Sequence, residues 1–119
     1  KCDPTNRPVA GGGVVIKFHA DKAYTTCALS AAAIEEIFRN ADVPFQKFYN
    51  RSDVRSGSTL GSISLSKVSL LSADIGIAQF AMHSACESFA IADYASMRSG
   101  IRAFFASSIQ VSGDDIIIG

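Results

Sequence analysis

Apolar and polar positions fall in blocks along this chain, and the spacing within each block sets the element it favours. Residues 14–18 (Val-Val-Ile-Lys-Phe) form a short β-branched run that predicts a buried strand, with Lys17 as its one interruption. Ahead of it, residues 1–13 carry two prolines and end in Gly11-Gly12-Gly13, which predicts a loop. Asp21-Lys22-Ala23 reads as a turn. Thr26 is placed to cap a helix running to about residue 41, since Leu29, Ala33, Ile34, Ile37, Phe38 and Ala41 recur on one helical face. Glu35 and Arg39 stand four apart on the outer side of that helix and are expected to pair weakly. Val43-Pro44 stops it, and residues 45–49 read as a second strand.

Residues 50–58 are polar and lead into a helix expected over about 58–68. Ser72-Ala73-Asp74 punctuates, residues 75–77 form a third strand, and residues 78–87 are read as a loop. A last helix is predicted over about 88–107, with Ile91, Tyr94, Met97, Ile101, Phe104 and Phe105 as its buried stripe. A tail follows that carries Gly113-Asp114-Asp115 and Ile116-Ile117-Ile118. The order strand–helix–strand–helix–strand–helix predicts an α/β layered fold with helices against a sheet.

Composition narrows the picture modestly. The 119 residues are 48% apolar and 18% charged, ordinary for one compact domain or a piece of one. Lys+Arg and Asp+Glu both count 11. A zero net charge gives no reason to expect a nucleic-acid or membrane partner, and it removes one deterrent to self-association. Cys2, Cys27 and Cys86 are odd in number and widely spaced, which predicts reduced thiols in a cytoplasmic protein. Asn50-Arg51-Ser52 matches a glycosylation sequon that has no meaning there. No apolar run approaches the roughly 18 residues a membrane helix needs. The polar, proline-broken start predicts no signal peptide, and without an initiator Met it reads as mid-chain.

Several residues carry candidate chemistry. His83 follows the third strand and precedes the last helix, where ligands gather in open α/β sheets. A neutral imidazole there suits zinc, but one His is no metal site, and spacing alone favours a satisfied loop histidine. Glu87, four residues on, is placed either to orient that imidazole or simply to favour a helix N-terminus. Lys17 sits in an apolar strand, so its ammonium either snorkels to water, the outcome the sequence favours, or meets an anion. Tyr24 is the other polar aromatic near that strand's exit. Glu35-Glu36 reads as a solvated helix face rather than an acid/base pair. Gly57-Ser58-Thr59-Leu60-Gly61 opens a predicted helix without phosphate-loop spacing, and Asp53 is either a turn residue or a site carboxylate. His19 beside Asp21 and Lys22 is given no role.

Taken together, Arg7-Pro8, Val15-Ile16-Lys17 with Tyr24, Arg51-Ser52-Asp53 with Gly57 to Gly61, and Asp74-Ile75-Gly76-Ile77-Ala78-Gln79-Phe80-Ala81-Met82-His83-Ser84 with Glu87 resemble the aspartyl aminopeptidases, metallopeptidase family eighteen. The resemblance covers roughly residues 5–107, and the last block is the most specific. Val54-Arg55-Ser56 and Ser62 depart from the family's usual residues. The resemblance implies a layered α/β zinc-exopeptidase catalytic domain, of which residues 1–119 would be the C-terminal portion. It implies a hydrolase that releases N-terminal residues, possibly acidic ones, from peptide substrates with two zinc ions, and homo-oligomers as large as dodecamers. It also implies that His83 is a metal ligand and that Lys17 and Tyr24 contact substrate, while Glu87 keeps the two readings given above. The other ligands and the general-base Glu would lie N-terminal to Lys1, so no catalytic residue is expected here and the chain alone would be inactive. The alternative is a non-catalytic α/β packing or assembly module of the same fold.

Overall fold

The computed structural model describes residues 2–119; Lys1, first in the expected lead-in loop, lies outside them. The chain runs β1 (Val14–Phe18), α1 (Ala28–Asn40), β2 (Phe45–Tyr49), α2 (Leu60–Leu65), β3 (Asp74–Ile77), β4 (Gln79–Phe80), β5 (Ser88–Phe89), α3 (Ile91–Ala106), β6 (Ile109–Ser112) and β7 (Asp115–Ile118). The layered α/β class read from the sequence holds, and β1 is the reason. Its apolar residues pair on both sides, giving the sheet order β2-β1-β3. The β1–β2 pairing is parallel, which needs a crossover, and α1 is that crossover. On its other side β1 pairs antiparallel with β3, with Lys17 opposite Asp74. Val14 and Ile16 are fully buried against Ile34, Ile37 and Phe38 of α1, with Met97 and Ala103 of α3 packed on the same cluster.

The junction at the foot of β1 is fixed by a backbone requirement. Gly13 has φ +90° and lies so close to Pro44 that a Cβ would fall 2.1 Å from its carbonyl oxygen, a position only glycine fills. Val14 N–H donates to that carbonyl at 2.9 Å. Asp93, fully buried in the first turn of α3, accepts from Gly11 N–H and Gly13 N–H, both at 2.8 Å. One carboxylate therefore ties the glycine loop to the third helix.

α1 begins one residue later than its expected cap. Cys27 is the N-cap, its Sγ accepting from Ser30 N–H at 3.5 Å while Ser30 Oγ accepts from Cys27 N–H at 3.0 Å. Thr26 instead turns its hydroxyl to β3, where it accepts from Asp74 N–H at 2.7 Å. The Ser30 hydroxyl, and after it the Ser30 amide, hold the Cys27 thiol below its ordinary range. A folded value below the unfolded one means this group adds stability above the ordinary thiol range and loses it as pH falls through the lowered value. Alkylation of Cys27, followed by peptide mass spectrometry against pH, should therefore show a midpoint below that of an ordinary thiol, and Ser30→Ala should raise it. An unchanged midpoint in Ser30→Ala would show that the cap does not set the thiol's acidity.

Three other expectations are corrected. Glu35 is not on a solvated face: its side chain is nearly buried where α1 meets β2, held by Arg39 and by Lys47, each at 2.8 Å. Helical spacing ranks faces by hydrophobicity, and a charged residue opposite two cations is invisible to that ranking. The stripe expected to bury α3 is largely exposed, with Ile91 and Phe105 at 84% and 80%. Only Met97 of the six packs on the core cluster, and Asp93 and Gly100 are the buried positions. Among the described residues nothing covers that face; periodicity locates an apolar stripe but not its partner. The segment boundaries also move: α2 spans Leu60–Leu65 only, α3 starts at Ile91 because Ser88–Phe89 pairs with Gln79–Phe80, and residues 108–119 form the β6–β7 hairpin.

Candidate active-site segment

Lys17 stands near the carboxyl end of β1, and the chain leaving that strand brings Tyr24 back beside it. The Lys17 ammonium lies 3.2 Å from Asp74 Oδ1 and 5.3 Å from the centre of the Tyr24 ring. A cation over an aromatic face and beside a carboxylate is held on two sides. So the charge inside the apolar strand meets an anion, the second of the two outcomes its position allowed. Tyr24 is itself set by edge contacts to His19, at 5.7 Å, and Phe48, at 6.1 Å. His19 accepts through Nδ1 from Asp21 N–H at 3.0 Å, while its Nε2 is enclosed without a hydrogen-bond partner. Sequence reasoning missed the pairing of Asp74 with Lys17, since Asp74 reads there as punctuation and as the start of the last family block. The signal that finds it is the strand register, which sets it opposite Lys17.

His83 lies in the turn joining β4 and β5, a minimal pair that exists because Gln79 and Phe80 lie opposite Phe89 and Ser88. Its backbone is left-handed, with φ 68°, as is that of Ala81 at 52°. Such values are uncommon for non-glycine residues and mark a turn held by its surroundings. Part of the hold is Glu87, whose Oε1 accepts from the His83 backbone N–H. Glu87 therefore grips the loop's main chain at His83, and the exposed imidazole is presented by that loop. Lys17 and Tyr24 are brought together, as are His83 and Glu87, and β3 and β4 are the chain that leads from one pair to the other.

The remaining candidates are accounted for locally. Arg51 closes on Asp53 with two hydrogen bonds, at 2.9 and 2.5 Å, on the surface. That hydrogen bonding holds the Asp53 carboxyl below the usual carboxylate range and raises the Arg51 guanidinium above its own. Asp53 thus reads as a turn residue with its charge already matched. Thr59 begins α2 without a side-chain cap, and six residues of helix offer little dipole to an anion.

A metal fits this segment only in part. Among the described residues no group of three or more His, Cys, Asp or Glu side chains is placed to hold an ion. Zinc sites take at least three protein ligands, so a zinc ion held against this segment would need ligands from outside the described residues.

A family model described as aminopeptidase I zinc metalloprotease, M18, matches residues 1–105. The chain belongs to the M18 family. An M18 family aminopeptidase 2 of Clostridium novyi, named as probable, is 45% identical over 94 residues, covering 79% of this chain and 22% of that protein. Its namesake in Clostridium acetobutylicum is 40% identical over 105 residues, 88% of this chain and 24% of the relative. A crystal structure of prApe1 superposes with a TM-score of 0.82 at 26% identity, over 87% of this chain and 22% of that one. A cryo-EM structure of the Ape4 and Nbr1 complex gives 0.75 at 30% identity, over 88% and 21%. The chain thus spans under a quarter of these relatives. M18 membership was legible in the four sequence blocks, and the family's own description carries zinc. No helix among the described residues is long and apolar enough to cross a membrane.

Proposed function

We propose that this chain is the C-terminal portion of the catalytic domain of a zinc aminopeptidase that releases N-terminal residues from peptides in the cytoplasm, acidic residues among them. The observation that carries the proposal is the M18 match along residues 1–105, together with the name aminopeptidase borne by the relatives. In this reading His83 is one ligand of a two-zinc site, and Lys17 and Tyr24 contact the substrate. Glu87 keeps the turn that presents the imidazole. The bound metals supply Lewis acidity and a water activated for attack on the scissile carbonyl.

The segment's own residues bind and orient. A half-exposed ammonium at Lys17 offers charge-assisted hydrogen bonds to a substrate carboxylate. The Tyr24 ring keeps that ammonium from swinging freely. A single ligand cannot hold a catalytic metal, so the 119-residue chain alone should bind zinc weakly and turn over nothing. Treating the full-length protein with a chelator should abolish release of N-terminal residues, and zinc should restore it. Full activity with the metal stripped would overturn the proposal.

A second reading is favoured by the apolar face of α3. With the β6–β7 hairpin it borders a groove of about 520 Å³ lined by Ile34, Ile37, Leu71, Ile75, Ile101 and Phe104. In that reading the segment is a non-catalytic packing or assembly module, and a homo-oligomer buries the face. His83 would then be dispensable.

A further inference from the structure

Asp74 has no task in the function proposed above, yet it is the best-anchored charge near Lys17. Its backbone N–H donates to Thr26 Oγ1 at 2.7 Å, and Thr26 is buried. Its register places it directly opposite Lys17, and their side chains meet at 3.2 Å, with the lysine 28% and the aspartate 12% exposed. The lysine stem is guided as well. A Cβ on Gly76 would come within 2.7 Å of Lys17 Cε, so the stem lies over the one β3 position that leaves room for it. With the Tyr24 ring centre 5.3 Å away as well, the ammonium is held beside a carboxylate and an aromatic face at once.

We propose that Asp74 is an intramolecular competitor for the anion subsite at Lys17, and so sets how strongly acidic N-terminal residues are preferred over neutral ones. This rests on the reading of Lys17 as a substrate contact. A substrate carboxylate that reaches Lys17 meets a cation already matched by a carboxylate whose backbone is pinned to Thr26. The binding gain is then the difference between two ion pairs rather than the whole of one, and the two carboxylates repel across the shared cation. Asp74 acts through Lys17 and is a positioning residue. The pair is partly exposed, so the effect on anion affinity is of the size measured for such pairs, about fivefold.

The test uses the full-length enzyme with peptides that begin with Asp or Glu and with Leu or Ala, read as the ratio of acidic to neutral kcat/KM. Asp74→Asn keeps the shape of the side chain and removes its charge. It should raise the ratio about fivefold, through a lower KM for the acidic peptides. Asp74→Ser removes the same charge with a smaller side chain and should shift the ratio in the same direction if Asn does not fold. Asp74→Glu restores the charge and should return the ratio towards the wild type, which a merely structural role would not do. Lys17→Met should collapse the ratio. If Lys17→Met does so while Asp74→Asn leaves the ratio unchanged or lowers it, the competitor role is overturned and the substrate reading of Lys17 stands. If Lys17→Met leaves the ratio unchanged, the substrate reading fails and the competitor role fails with it.

Discussion

Replacing His83 by alanine in the full-length protein is expected to lower turnover by more than about a hundredfold, because loss of a residue that merely supports a metal ligand already costs roughly 10–100-fold. The imidazole is exposed and its ring makes no hydrogen bond among the described residues, so the fold has little to lose with it. The backbone is a separate matter. At φ 68° a non-glycine residue is strained, and alanine inherits that strain. His83→Gly removes the ligand and relaxes the backbone together. If both variants lose activity and zinc in parallel while their melting temperatures differ, the loss belongs to the imidazole. Turnover within twofold of the wild type in either variant would favour the non-catalytic module.

The largest stability effect is expected at Asp93. Asp93→Ala leaves the amides of Gly11 and Gly13 without their acceptor, and the latter is in a buried position. Two charge-assisted hydrogen bonds disappear and the enclosed Gly13 donor goes unpaired, which costs about 3–5 kcal/mol. The loss also frees the glycine loop that feeds β1, so it weakens contacts between segments some 80 residues apart. Asp93→Asn presents its oxygen to one of the two donors and turns an NH2 towards the other, so an intermediate loss is expected. Denaturant unfolding of the wild type and both variants measures the order Asp, Asn, Ala. A cost below about 1 kcal/mol for Asp93→Ala would mean water replaces the carboxylate at little expense.

The partners of Asp93 lie some 80 residues away in sequence, and legibility divides along the same line. Local signals were readable. The β-branched run at 14–18, the helical spacing of Ile34, Ile37 and Phe38 and the Val43-Pro44 stop all fall where β1, α1 and the turn into β2 lie. Each element here is fixed by residues within a turn or two of one another, so periodicity suffices. The M18 blocks were legible for a related reason, since each is a short contiguous stretch.

What needed the tertiary structure was every pairing between blocks. The cap moved from Thr26 to Cys27 because the Thr26 hydroxyl is taken by β3. Glu35 went from solvent to a nearly buried ion pair because Lys47 of β2 lies opposite it. Lys17 found Asp74 only through the β1–β3 register, and Glu87 took the amide of His83 because a two-residue strand pair closes that turn. The stripe on α3 was correctly apolar and wrongly called buried: amphipathicity is a property of one helix, whereas burial is a property of two surfaces. The amino-acid order by itself determined the first three strands of the sheet, the helix between β1 and β2, the layered class and the family. Which charges meet and which faces stay open were decided by chain segments converging in space, where interaction energy depends on distance and not on sequence separation.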